Sequence, residues 1–449
     1  MVRRGHLIFR GMRVRDYFET SEHQEYLCRL DGRVGPATLM TQVCHRLDGD
    51  VDVEALRRAV GRLDEAHPLL RRAFAERDGY VVLRDGRDRA DLEVVEVPDD
   101  RAAVGWCQAA LRRPVDLWAG PCWAVSLART GTGSSYLLLR AHMALLDHQS
   151  LDLLVDDLAV LYGAELGAGT GQPPAAESID DVLDRLFELG EEQAEEDLDW
   201  WLDTFGRLGP VETGADLTDP FDATPDGPPP APGGHLAQAH VPSGGIVPAV
   251  RRLRVSPFAA YTAALLGALG EPAATRSFRV AFVVDMRSFL DCERVVGQLS
   301  QAAVLRVDVP PGIGFAELSR RVAHQAAESL GHQAVPFERV VVELKRRGVP
   351  VHLLAPVSVN YSLLRAIDWP GATATAIELD STTALDDTAG LGGYFDQLDG
   401  EERLRVKLYA AASSYSAART DELLAQTLRC LEAGLASPDQ PLAAGAPSA

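Results

Sequence analysis

The chain has no apolar run long enough to span a membrane, no basic excess and no paired-cysteine motif. Each absence removes a class of function. Without a span, and with no signal-length apolar run after the basic start Met1-Val2-Arg3-Arg4, the expected location is the cytoplasm. A formal net charge of −21 excludes a nucleic-acid groove or an anionic membrane as the expected partner, since both demand concentrated Lys and Arg. The cysteines at 28, 44, 107, 122, 292 and 430 lie far apart, so neither a zinc site nor a disulfide framework is expected. They read as packed, reduced thiols. No metal, nucleotide or flavin motif occurs: there is no Gly-x-Gly-x-x-Gly after a strand, no Walker loop and no His-Glu-x-x-His.

What is present is a large globular protein. With 449 residues, 46% of them hydrophobic, the chain can bury a sizeable core and should divide into two or three units. Its most informative stretch runs from Tyr136 to Tyr162. Tyr136 to Leu139 has the bulk of a buried strand, while Leu151, Leu154, Val155, Leu158, Leu161 and Tyr162 recur at helical spacing. Between them lies a turn holding His142, Met143, Asp147 and His148. Ser150 is read as the N-cap of the helix, with Asp152 complementing its positive end.

Elsewhere strand-like and helix-like stretches follow one another along the chain. Asp52 can cap a helix whose Val53, Leu56, Val60 and Leu63 share one face, leading to His67-Pro68-Leu69-Leu70-Arg71. His67 is expected to be a buried, hydrogen-bonded helix end rather than a reacting group. Tyr80 to Leu83 and Leu92 to Val97 are expected to form one small sheet after it. An acidic helical stretch spans Asp180 to Phe205. Periodicity then stops where prolines cluster, so 210–234 is expected to link an N-terminal lobe, 1–209, to a C-terminal lobe, 235–449. The second lobe carries an apolar helix from Pro257 to Leu269, a strand from Phe278 to Val284 and strands at Ala303 to Val309, Val357 to Tyr361 and Leu404 to Tyr409. A final helix runs from Asp421 to Leu435.

The turn resembles the His-His-x-x-x-Asp-Gly-x-Ser signature of nonribosomal peptide synthetase condensation domains and their chloramphenicol-acetyltransferase-like relatives. His142 matches the first His, Asp147 the Asp and Ser150 the Ser. Met143 stands where the family has its second, catalytic His, and His148 where it has Gly. Supporting matches are His67 to Arg71, Pro114-Val115-Asp116-Leu117, Gly120-Pro121, Val296-Gly297, and His332-Gln333-Ala334-Val335-Pro336-Phe337-Glu338. The resemblance runs from about residue 44 to about residue 435, and the first forty residues match poorly.

The resemblance implies a mixed α/β fold of two similar lobes, each a mixed sheet with flanking helices, forming a V with a central tunnel. It also implies that Arg287, from the second lobe, pairs with Asp147. The implied substrate is an acyl or peptidyl thioester on the phosphopantetheine arm of a carrier protein acting in trans, with a small-molecule acceptor and no bound cofactor or metal. Because a thioether cannot accept a proton near neutral pH, the family's usual base is missing at Met143. His142, Asp147 and His148 are therefore the candidate catalytic residues, with His148 the candidate replacement base. Three readings stay open: an acyltransferase or cyclase with a non-standard site, an inactive domain that binds carriers or recruits a tailoring enzyme, and a structural pseudo-enzyme.

Overall fold

In the computed structural model of the protein the described residues are 17–34, 39–86, 88–169, 171–206, 234–270, 274–347, 357–379, 390–398, 403–412 and 414–442. By internal contacts the chain divides into two units. The first comprises Met1–Leu186, Arg287–Leu299 and Ile367–Asp380; the second comprises Phe187–Met286, Ser300–Ala366 and Ser381–Ala449. The contiguous lobes expected at 209 and 235 are thus replaced by an interleaved arrangement. Its cause is visible in the bonding: Arg287 and Leu299 bind Asp147, and Ala372–Ala376 pairs with Met40–Gly49, so both late segments are held by first-unit residues. Most of the expected linker lies outside the described residues. Gly234 already opens a strand.

The first unit is built on a six-stranded sheet in the order Asp368–Trp369, Ala372–Ala376, Met40–Gly49, Ser134–His142, Trp123–Thr130, Leu92–Val97. Neighbours run antiparallel except Leu92–Val97, which lies parallel to Trp123–Thr130. Ser134–His142 has neighbours on both edges and every one of its residues is buried. That explains its unbroken apolar centre, since a strand covered on both faces needs no polar side. Helices Val53–Ala66 and His148–Glu165 pack on each other. The first is capped by Asp52, which accepts from the Ala55 N–H, and its apolar residues at helical spacing are buried.

One expectation in this unit is corrected. Tyr80–Asp85 does not share a sheet with Leu92–Val97; it forms a three-stranded sheet with Tyr17–Phe18 and Arg72–Arg77. Alternation identifies a strand but not its partner, and here Asp78 and Gly79, both at positive φ, turn the chain back onto Arg72–Arg77. The acidic helical stretch expected from Asp180 is helical, as two helices, Ile179–Glu192 and, in the second unit, Ala194–Gly206.

The second unit contains another six-stranded sheet, ordered Ser300–Val309, Arg276–Asp285, Val357–Leu364, Leu391–Leu398, Arg403–Ala411, Gly234–Pro242. It too is mixed, with Val357–Leu364 parallel to both of its neighbours. Helix Pro257–Leu269, N-capped by Ser256, is buried at every residue from Ala259 to Leu269, as its all-round apolar sequence demands. It packs against Phe315–Leu330 and Ala417–Ala436. A second cluster joins Trp201, Phe205, Phe337 and Val340 to Val304. In it the Trp201 indole N–H donates to the His332 carbonyl at 2.8 Å, which fastens the corner His332 to Glu338 between Phe315–Leu330 and Phe337–Arg346.

Gly434 lies against the fully buried ring of Phe315, so closely that an added Cβ would collide with the ring. Gly434→Ala gains about 1 kcal/mol of helix propensity but overpacks a closed core, which costs about 1–3 kcal/mol. We predict a net loss of stability in chemical denaturation; an increase would show that Phe315 can move aside.

Candidate functional site

The turn from His142 to Ser150 is shaped by one carboxylate. Asp147, in extended conformation, is the N-cap of helix His148–Glu165 and accepts the Ser150 backbone N–H at 2.8 Å. Ser150 was expected to be the cap, but it sits three residues inside the boundary because the longer Asp side chain at the preceding break reaches the same N–H. Ser150 is instead a bridge. Its hydroxyl oxygen lies 2.6 Å from Asp147 Oδ1 and 2.7 Å from the Gly297 carbonyl, and it accepts the Gly297 N–H at 3.0 Å.

Arg287 closes the arrangement. Its Nη1 donates to Asp147 Oδ2 at 2.9 Å and its Nη2 to Oδ1 at 3.0 Å, a two-point contact that fits the planar guanidinium to the planar carboxylate. Nη2 also reaches Ser150 Oγ and the Gly297 carbonyl, and Nε donates to the Val295 carbonyl at 2.8 Å. The Leu299 N–H supplies a further bond to Asp147 Oδ2 at 2.9 Å. Arg287 is fully buried and Asp147 nearly so. The arginine was expected from a second lobe; by contacts its segment Arg287–Leu299 belongs to the first unit. Gly297 has a steric role as well, since a Cβ there would stand 2.6 Å from Ile179 Cδ1.

Burial by itself would push the Asp147 carboxyl up. The Arg287 charge, with the hydrogen bonds from Arg287, Ser150 and Leu299, outweighs it and holds the group below the usual carboxylate range. Asp147 is therefore an ionised, fully engaged acceptor, suited to fixing the turn and not to moving protons.

His142 ends strand Ser134–His142 and is buried. Its Nδ1 accepts the Ala144 N–H at 3.1 Å, which places the ring proton on Nε2, 3.2 Å from Asp31 Oδ1. Both nitrogens are thus engaged. Met143 is half-buried and tied through its backbone N–H to the Leu39 carbonyl at 2.9 Å. His148 is the first residue of its helix, half-buried, and its ring makes no hydrogen bond among the described residues. His67 ends its helix and meets Asp157 at 2.9 Å through Nε2; Arg294 binds the other oxygen of the same carboxylate. That is the structural position expected of it.

Three supporting residues were not recognised in the sequence. Gln24, on helix Glu22–Val34, donates to the Ala144 carbonyl at 2.9 Å; Asp31, on the same helix, faces His142; Leu299 contributes its N–H to Asp147. A signal for the helix existed. Ser21 and Gln24 form a reciprocal capping box, with Gln24 N–H to Ser21 Oγ at 3.1 Å and Ser21 N–H to Gln24 Oε1 at 3.0 Å. Among the described residues no group of three or more His, Cys, Asp and Glu is placed to hold a metal, and no helix is long and apolar enough to cross a membrane.

The family model described as "Condensation domain" matches residues 35–218. Phosphinothricin tripeptide synthetase PhsC of Streptomyces viridochromogenes is 27% identical over 321 residues, covering 68% of this chain and 29% of that protein. Cyclosporin synthetase simA of Tolypocladium inflatum is 25% identical over 422 residues, covering 88% of this chain and 3% of that protein. The chain thus spans well under half the length of these relatives. Among solved structures, a starter condensation domain of rhizomide synthetase RzmA superposes with a TM-score of 0.79 at 19% identity, covering 95% of this chain and 96% of that one. The condensation domain of the monacolin K polyketide synthase MokA gives 0.79 at 18% identity, covering 95% and 99%. Residues 35–218 thus resemble condensation domains, and the fold is that of the solved condensation domains.

Asp147→Asn would leave Arg287 buried without its counter-charge, and we predict a loss of about 3–5 kcal/mol. The pH dependence follows from the lowered carboxyl. Asp147 binds its proton more readily unfolded than folded, so its contribution is complete above the ordinary Asp range, about pH 4, and is lost as pH falls through the folded value. The stability gap between wild type and Asp147→Asn should be full at pH 7 and shrink below about pH 4. A gap independent of pH would show that the charge is not what the variant removes.

Proposed function

We propose that the chain is a condensation-type acyl-transfer domain of nonribosomal peptide or polyketide biosynthesis, working in the cytoplasm on a carrier protein presented in trans. The carrier's phosphopantetheine arm supplies an acyl or peptidyl thioester, and an amine or hydroxyl acceptor attacks its carbonyl. The new C–N or C–O bond forms as C–S breaks, and the proton lost by the acceptor ends on the departing thiolate. One observation supports this reading above the rest: the Asp147–Arg287–Ser150 framework that fixes the turn is complete, so the chain maintains the site's geometry although Met143 occupies the position of the family's base.

In this reading His148 takes over proton transfer. His142 has both nitrogens committed and Met143 has no basic atom, whereas the His148 ring has no hydrogen-bond partner among the described residues. A second reading is favoured by the same commitment of His142: a domain that binds the carrier or a tailoring enzyme without turnover.

With an acylated carrier and an amine acceptor, His148→Ala should lower turnover by about a hundredfold or more while carrier affinity stays the same. Met143→His should raise it. Undiminished turnover in His148→Ala would refute the replacement base and leave proximity to supply the rate. Carrier binding without product, in wild type and in Met143→His alike, would establish the second reading, and failure of every acylated carrier to bind would reject both.

A further inference from the structure

In the second unit, strands Arg276–Asp285 and Ser300–Val309 are antiparallel neighbours in which Arg279 stands directly opposite Arg306 and Ser277 opposite Asp308. Alternation puts these four side chains on one face, together with the next pair, Ala281 and Val304. Val304 belongs to the core around Trp201 and Phe205, so the polar pairs continue that apolar face. Like charges directly opposite each other on adjacent strands are destabilising. Arg279 is only 3% exposed, and its Nε and Nη2 are buried with no acceptor among the described residues.

The nearby groups do not resolve this. Arg306 Nε donates to Ser277 Oγ at 3.2 Å, its Nη2 lies 3.7 Å from Asp308, and Ser277 donates to Asp308. Among the described residues one carboxylate stands beside two guanidinium groups, leaving one positive charge in excess. Burial, and then the charge of Arg306, pulls the Arg279 guanidinium down to about 10, still protonated near neutrality. An unpaired buried cation is among the costliest features a fold can hold.

We propose that Arg279 and Arg306 form a binding site for an oxyanion presenting two oxygens on one centre, a carboxylate or a phosphate. The unpartnered atoms set the class. Nε and Nη2 lie on the edge of the guanidinium where two N–H bonds point in parallel, the edge that receives two such oxygens. The ladder opens to solvent at its polar end, where the Arg306 and Asp308 side chains are 36% and 50% exposed, so an anion would reach the Arg279 edge from there by moving these side chains aside. The site lies within the second unit and involves none of the residues of the turn around Asp147.

The test titrates the full chain with acetate and with inorganic phosphate by calorimetry, at constant ionic strength with chloride as the replacement ion. Saturable binding of at least one anion is expected, and which one binds identifies the source as carboxylate or phosphate. Arg279→Met keeps the bulk and removes the charge. It should weaken that binding by about tenfold or more and should melt above wild type in chloride alone. Arg306→Gln, at a half-exposed position, should also weaken binding, and it carries the test if Arg279→Met fails to fold. Absence of saturable binding to wild type, wild-type affinity in the variants, or a lower melting point for a folded Arg279→Met in chloride would each overturn the proposal.

Discussion

Everything around the candidate site depends on one buried ion pair. Asp147 and Arg287 are both removed from water, where either charge left alone would be strongly destabilising. The pair does not stand alone: Ser150, the Val295 and Gly297 carbonyls and the Leu299 N–H take up the remaining donors and lone pairs. This completeness lets a charged cluster persist in a closed core. The pair also connects distant parts of the sequence, because Arg287–Leu299 is held in the first unit by bonds to Asp147 and Ser150.

The same bonding divides the turn's residues by role. Asp147 caps the helix and anchors Arg287, which leaves its carboxylate no free lone pair for chemistry. His142 is fixed between Ala144 and Asp31, and helix Glu22–Val34 clamps the turn from a second point through Gln24. Met143 and His148 flank this framework, both half-buried and neither committed through its side chain among the described residues. The framework is fully bonded, whereas among the described residues the His148 ring beside it has no partner. Under the proposed acyl transfer the rate would have to come from a relocated imidazole or from placement of the reactants.

Much of the fold was legible because its strongest elements have unambiguous periodicity. Helix Pro257–Leu269 and strand Leu92–Val97 fall where their apolar patterns put them, and the resemblance at Asp147 and Arg287 named residues that lie within hydrogen-bond distance. What escaped was non-local or concealed by competing signals. Strand pairing is set by turns and tertiary contacts, so Tyr80–Asp85 could be recognised as a strand yet assigned to the wrong sheet. Ser150 is a sound cap by residue type, but Asp147 three residues earlier is an equally good one, and only the geometry decides. The helix holding Gln24 and Asp31 is marked in the sequence only by its local capping box, and nothing local ties it to the distant turn that it clamps. The interleaving of the units leaves no compositional mark.

A double-mutant cycle on Asp147 and Arg287 tests the central claim most directly. The two single variants, Asp147→Ala and Arg287→Met, and their combination are compared with wild type by equilibrium denaturation. If the pair is the anchor described here, each single variant loses about 3 kcal/mol or more, and the double variant recovers a large part of that loss because no unpaired charge remains. Losses that add within about 0.5 kcal/mol would contradict the account, showing that the turn holds its shape without the ion pair.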